Sequence, residues 1–175
     1  MSFLHPTTAS KFLELLPGMR VADFGCGSGH WALELARAVG PSGKVFAVDV
    51  QESALEATRS LAKRAHADNI ETVRANLEKI GATLLKESTV DAVMISNMLS
   101  QADKKENVVA EAARILKPAG RAFLIEWDAE RGAASSSLGP PPAQHISRQD
   151  ADKLFLANGF RFEKEFHAGS YHYGL

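Results

Sequence analysis

Cysteine is almost absent from this chain: among 175 residues, Cys26 is the one thiol. A lone thiol closes no internal disulfide and cannot build a thiolate zinc cluster. An excess of either charge is missing too. Twenty basic side chains face 21 acidic ones, for a formal net charge of −1 and a pI near 6.6. A nucleic-acid footprint normally shows as a basic domain, so no such partner is expected. No apolar run approaches the ~18 residues of a membrane span, and the opening MSFLHPTTASKFLELL has no long apolar block behind a basic start. Neither a membrane span nor a signal peptide is therefore expected. No charge block and no internal repeat occurs. These absences point to a soluble, cytoplasmic protein. What is present, 45% hydrophobic residues, suffices for one well-buried core and predicts a single domain over 1–175.

Strand-like and helix-like segments alternate. Residues 8–16 predict a short helix with Phe12, Leu15 and Leu16 inward, stopped by Pro17-Gly18. A strand over 19–24 leads into a glycine cluster and a helix over 29–39, where Trp31, Leu35 and Val39 recur every four residues. Strand 44–50 precedes a helix over 53–66 with Leu55, Thr58, Leu61 and Ala62 inward. Strand 70–75 precedes a short helical piece over 78–86, then strand 91–96. The helix over 103–116 opens on Asp103 and Glu106, a capping-box spacing, and carries Val108, Val109, Ala112, Ile115 and Leu116 on one face. The run 117–120 stops it, and 122–127 is the fifth strand. Apolar strands separated by helices predict a parallel sheet covered on both faces.

The end of the chain differs. Residues 128–147 are a Ser/Pro/Gly/Ala-rich connection longer than the ~12–15 residues usual for loops without structure of their own. They predict a substrate-side lid, with a flexible AASSS half (133–137) and a stiff Pro140-Pro141-Pro142 half. Ser147 and Asp150 cap a helix over 148–157, which ends at Asn158-Gly159. Segments 160–166 and 170–175 read as an antiparallel hairpin.

Between the first strand and first helix stands Asp23-Phe24-Gly25-Cys26-Gly27-Ser28-Gly29. Glycines there permit positive φ and let a ligand press on bare backbone, while the helix start aims free N–H groups at an anionic group. A dinucleotide fingerprint, G-x-G-x-x-G, would need a third glycine where His30 stands. Asp49 closes the second strand, where an acid can accept two hydrogen bonds from vicinal ribose hydroxyls. That device serves any adenosine cofactor.

The pattern Asp-x-Gly-x-Gly-x-Gly resembles the first motif of the class I S-adenosylmethionine-dependent methyltransferases, near the quinone-biosynthesis C-methyltransferases and arsenite-methyltransferase-like domains. The segment from Glu111 to Arg121, ending RILKPAGR, is similar to the family's structural R-x-L-K-P-G-G run. The resemblance implies a three-layer α/β Rossmann-like fold with a seven-stranded sheet ordered 3-2-1-4-5-7-6, the last strand antiparallel. It implies S-adenosylmethionine as cofactor. Asp23, Gly25, Cys26, Gly27 and Gly29 would lie under its methionine part, with Asp23 toward the ammonium. Asp49 would take the ribose diol, Val50 and Gln51 would flank the adenine, and Asn76 and Leu77 would meet its edge. The family often has aspartate where Asn76 stands. Ser96 ends the strand nearest the transferable methyl, and no Pro-Pro-Tyr/Phe follows Asn97, so the amino-methylating signature is absent.

Methyl transfer from a sulfonium needs an aligned approach and, for a protonated nucleophile, a base. His30 is the candidate base, at a helix start that disfavours its protonated form. Asn97, Trp127, His145 and Tyr171 are the substrate-side candidates, with His5, Trp31, Asp128 and His172 as further rim residues. Cys26 alone cannot hold arsenic, and Ser96 stands where a catechol-type magnesium site wants an acid, so no metal is expected. The sequence also predicts no appended recognition domain. Specificity then falls to the leader 1–18 and the 128–147 loop, both expected above the carboxyl ends of the strands. The favoured activity is methylation of a small molecule. A nicotinamide-dependent oxidoreductase and a non-catalytic cofactor-binding partner subunit remain the alternatives.

Overall fold

The computed structural model describes residues 4–128, 141 and 144–175. The strands are β1 (Arg20–Phe24), β2 (Lys44–Asp49), β3 (Ile70–Arg74), β4 (Val90–Ser96), β5 (Leu116–Trp127), β6 (Phe166–His167) and β7 (His172–Gly174). The helices are α1 (Pro6–Ala9), α2 (His30–Val39), α3 (Glu52–Arg64), α4 (Lys105–Ile115) and α5 (Arg148–Ala157). One sheet holds all seven strands in the order β3-β2-β1-β4-β5-β7-β6. β1 through β5 pair in parallel, and β7 runs antiparallel to both β5 and β6. The expected order and the reversed last strand are both present.

The central strands are buried on both faces, as parallel strands under two helix layers must be. Val21, Ala47, Met94, Phe123 and Ile125 pack on one side with Trp31, Leu35 and Val39 of α2. Ala22, Phe24, Val48, Ile95 and Leu124 pack on the other with Val108, Val109, Ala112 and Ile115 of α4. This alternation puts Asp23 on the α2 side, between Val21 and the glycine loop.

Several sequence expectations are corrected. The leader helix is one α turn tightening into a 3-10 turn over Ser10–Leu13, ended by Glu14 at φ 51°. That geometry turns Ala9 and Leu13 inward and leaves Phe12 and Leu16 exposed. The helical piece over 78–86 is a chain of turns. Its bonds, such as Lys79 N–H to Asn76 O and Ala82 N–H to Lys79 O, span three residues, and Gly81 and Leu84 have positive φ. α4 starts at Lys105 with no side-chain cap, because Asp103 falls one residue outside the cap position. Glu78 Oε2 accepts the Lys104 N–H instead, at 3.0 Å. β5 begins directly after α4, and a register irregularity absorbs the turn region. The hairpin is far shorter than expected: residues 160–165 form no strand. Arg148 pairs with Glu165 and Lys164 with Glu14, which ties this stretch to α5 and the leader rather than along β7. Ser147 caps α5 as expected, accepting the Asp150 N–H.

Candidate functional site

The glycine loop leaves β1 and is fixed from three sides. Gly25 N–H and Cys26 N–H both donate to Val48 O of β2, at 2.8 and 3.0 Å. The buried Thr58 of α3 donates its hydroxyl to Gly27 O at 3.1 Å. A Cβ at Gly25 would meet Met98 Cγ at 2.5 Å, and one at Gly29 would meet Thr58 Cα at 2.9 Å. Packing therefore dictates those two glycines. Gly27 is different: at φ +51° a Cβ there would find nothing within 4 Å. Its bare backbone borders open space. Cys26 is buried and lies 3.6 Å from Thr58 Oγ1. Burial, reinforced by the Asp23 charge, pushes its thiol up to about 12, so it stays protonated.

Asp23 is 1% exposed, and its Oδ2 has no hydrogen-bond partner. Burial drives its carboxyl up to about 7; the Ala32 N–H opposes that rise, and the Asp49 charge adds to it. A buried carboxyl left in this condition is a receptor for a cation or a donor. Asp49, at the end of β2, is buried as well. Its Oδ2 accepts the Gly27 N–H at 3.0 Å and its Oδ1 the Gln51 N–H at 2.9 Å. It is thus a structural tie as well as a candidate ligand, whereas a strand-end carboxylate reachable by solvent would carry little folding energy. Each oxygen keeps one lone pair.

Val50 and Gln51 are exposed beside Asp49, and Gln51 is the N-cap residue of α3. Asn76 is exposed, with Oδ1 accepting the Glu78 N–H at 2.9 Å in a local turn; Leu77 is buried. Ser96 does not stand alone, because Trp31 Nε1–H donates to its Oγ at 3.0 Å. Asn97 adopts φ 52° and donates its N–H to Ile125 O; its Oδ1 is buried without a partner. His30 is exposed at the first position of α2. Among the described residues, no hydrogen bond, ion pair or ring contact ties it to the other site residues.

Strand register arranges the remaining residues as a staircase. Asp23 pairs with Met94, two residues before Ser96. Ser96 pairs with Ile125, two residues before Trp127. Trp127 pairs with His172. The first two steps each move one strand across and two residues toward the carboxyl end of the parallel strands, and the last crosses level from β5 to β7, all on one face of the sheet. At the top, the Trp127 indole lies 4.3 Å from the His172 ring and 6.4 Å from the His145 ring. His172 is 3% exposed with neither ring nitrogen partnered. Burial, with His145 nearby, lowers it to about 4 and keeps it neutral. Tyr171 precedes it, and its carbonyl accepts the Asp128 N–H.

Sequence reasoning missed Glu126. This fully buried carboxyl accepts the Ser100 N–H at 3.1 Å and so holds the turn after β4 against β5. Burial raises its pKa. Its signal was an acid inside the apolar run AFLIEW. Thr58 was placed inward, but its bond to the glycine loop was not foreseen. The described leader runs down the α2 face: Phe12 stacks on Phe166, and Glu14 reaches Arg121, so this part lies over the sheet rather than above its carboxyl ends. His5 is exposed near its start. Most of the anticipated lid, 129–140 and 142–143, lies outside the described residues. A groove of about 580 Å³ lined by Ala122, Phe155 and Phe160 sits toward the start of β5, away from the glycine loop.

A sheet in this order, with an acid-and-glycine loop after β1 and an acid closing β2, defines the class I S-adenosylmethionine-dependent methyltransferase fold. The chain belongs to the methyltransferase-domain family, whose model matches residues 21–120. It is 31% identical over 157 residues to the ubiquinone/menaquinone biosynthesis C-methyltransferase UbiE of Azotobacter vinelandii, covering 85% of this chain and 61% of that protein. The crystal structure of a SAM dependent methyltransferase from Aquifex aeolicus superimposes with a TM-score of 0.87 at 27% identity, covering 98% of this chain and 88% of that one. An arsenic (III) S-adenosylmethionine methyltransferase from Chlamydomonas reinhardtii gives 0.73 at 25% identity, covering 86% of this chain and 55% of that one. This chain therefore spans about three-fifths of the quinone-biosynthesis relative's length. No helix among the described residues is long and apolar enough to cross a membrane.

Proposed function

We propose that this chain transfers a methyl group from S-adenosylmethionine to a small molecule. The observation that carries this reading is Asp23: a buried carboxyl with an orphaned oxygen, beside a glycine loop in which Gly27, unlike Gly25 and Gly29, has open space where a side chain would stand. An α-ammonium supplies the missing donor and the missing charge, and a close-lying chain covers the Gly27 backbone. Asp49 then offers its two remaining lone pairs to a ribose diol, and Val50, Gln51 and Leu77 flank an adenine. The residues present fit the group.

When bound, S-adenosylmethionine supplies an electrophilic methyl on a sulfonium. The chain's own work is positioning. Asp23 holds the cation, Asp49 the sugar, and the Trp31–Ser96 bond fixes the wall between α2 and the end of β4. Glu126 secures the turn 97–101, which borders the same edge. Cys26 stays a protonated thiol and takes no part as a nucleophile. A nicotinamide cofactor finds less support, because it brings no ammonium for Asp23. The third glycine of a dinucleotide fingerprint serves close helix–strand contact, and that position is held here by the exposed His30.

Titration of the purified protein with S-adenosylmethionine and, separately, with NAD tests this reading. Saturable binding of the first alone is expected, followed by transfer of labelled methyl to at least one member of a small-molecule panel. Binding of NAD alone overturns it.

A further inference from the structure

The residues that follow β4 form a turn with two local deficits. Asn97 sits at φ 52°, a left-handed conformation uncommon outside glycine. A 3-10 turn over Leu99–Gln101 comes next, and Met98, at its N-cap position, makes no side-chain bond to the N–H groups left open there. Both deficits are met from one place, the adjacent residues Ile125 and Glu126 of β5. Ile125 O accepts the Asn97 N–H at 2.8 Å, and Glu126 Oε1 accepts the Ser100 N–H at 3.1 Å. Met98 lies between these two bonds. Its Cβ and Cγ stand 2.9 and 2.5 Å from where a Cβ of Gly25 would be, so its side chain roofs the glycine loop.

An acid is a costly way to tie down one N–H. Glu126 is fully buried, its Oε2 has no partner among the described residues, and burial raises its pKa. An apolar side chain would serve stability better at such a position, which argues that the acid is kept for another use. We propose that Glu126 is a positioning residue for the methyl donor: it caps the 3-10 turn from β5, leaves position 98 to an apolar side chain, and so sets Met98 over Gly25. A fixed Gly25 keeps Asp23, two residues earlier, and Gly27, two residues later, at one spacing. Those are the two positions assigned to the methionine part of the cofactor. Leu99 also anchors the turn in the core, but an apolar contact is not directional and lets the turn rotate. The carboxyl–N–H bond is directional and does not.

The inference rests on the methyltransferase reading, and the first arm of its test needs no cofactor. In protein carrying ¹³C-methyl methionine, Glu126→Leu should move the Met98 NMR signal and leave that of Met19, just before β1, unchanged. Glu126→Gln keeps an oxygen that accepts the Ser100 N–H and should return the Met98 signal toward its wild-type position. In calorimetric titration, Glu126→Leu and Met98→Ala should each weaken S-adenosylmethionine binding about tenfold or more, and Glu126→Gln no more than about threefold. The double variant Glu126→Leu/Met98→Ala should bind about as the weaker single variant does, because both changes remove the same contact. Ile115→Ala opens a cavity in the core at the end of α4; it should lower Tm and keep cofactor affinity, which separates positioning from lost stability. The Met98→Ala arm stands even if Glu126→Leu does not fold. An unmoved Met98 signal in Glu126→Leu, unchanged affinity in Met98→Ala, or losses that multiply in the double variant overturn the inference. A wild-type chain that binds no S-adenosylmethionine would instead overturn the methyltransferase reading.

Discussion

A carboxyl group raised to about 7 in the folded chain binds a proton between pH 4 and 7 that the unfolded chain has already released. Asp23 therefore adds stability at low pH that disappears as pH rises through that window, with a slope of at most about 1.4 kcal/mol per pH unit. His172 works in the opposite sense. Its depressed pKa costs stability as pH falls from its ordinary value toward 4. The two slopes overlap, so the wild-type profile alone isolates neither. The difference between Asp23→Asn and wild type does. Urea unfolding at pH 4.5, 6 and 8 should show the variant gaining on the wild type steadily as pH rises, because the amide has no charge to bury. The same variant should bind S-adenosylmethionine more weakly at pH 8, where the wild-type carboxylate is available to an ammonium. A pH-independent difference in stability would place Asp23 in an environment other than the buried one described.

The glycines divide by what surrounds them, and that division belongs to the loop joining β1 to α2. Gly29→Ala puts a Cβ against the backbone of Thr58 at φ +83° and should cost about 2–4 kcal/mol in unfolding experiments, combining strain with overpacking. Gly27→Ala meets only the strain of a left-handed residue, about 1 kcal/mol. Its larger effect should fall on cofactor affinity, since the new methyl occupies the open side. Calorimetric titration beside thermal unfolding separates the two; equal affinity losses would remove the contrast. The motif itself was legible in the sequence, but which glycine faces the ligand was not, because that depends on Thr58 and Met98 arriving from other elements. The same limit applies to whole elements. β1, β2, β4 and the core of β5 were legible because strands buried on both faces must be continuously apolar. The turns at 76–84 have helix-like composition, and their positive-φ positions leave no periodic trace. The cap of α4 comes from Glu78, 26 residues away, which no local spacing reveals. His172 appeared in the sequence as a rim residue, but its pairing with Trp127 comes from the antiparallel register of β7.

At the scale of the molecule, the loop sits at the centre of the sheet, bonded to β2, packed on α3 and closed over by Met98 after β4. It cannot open without loosening three elements of the core, so a ligand held there should stabilise the global fold rather than a local flap. At a hundredfold excess over its dissociation constant, S-adenosylmethionine should then add about 2.7 kcal/mol. For a chain of this length each kcal/mol raises Tm by roughly 2–4 °C, so a rise of roughly 5–11 °C is expected in a thermal scan. Asp49→Ala removes the acceptor of two backbone N–H groups, which lowers Tm without ligand. It also removes the proposed partner of the ribose, worth ~1.5–3 kcal/mol as a charge-assisted pair. At the same ligand concentration the gain should therefore shrink to between about 1.3 and 0.3 kcal/mol. The two effects are read independently, one from the scans without ligand and the other from the ligand-induced difference. An Asp49→Ala protein that gains as much Tm from S-adenosylmethionine as the wild type would leave Asp49 a structural tie between the glycine loop and α3 and nothing more.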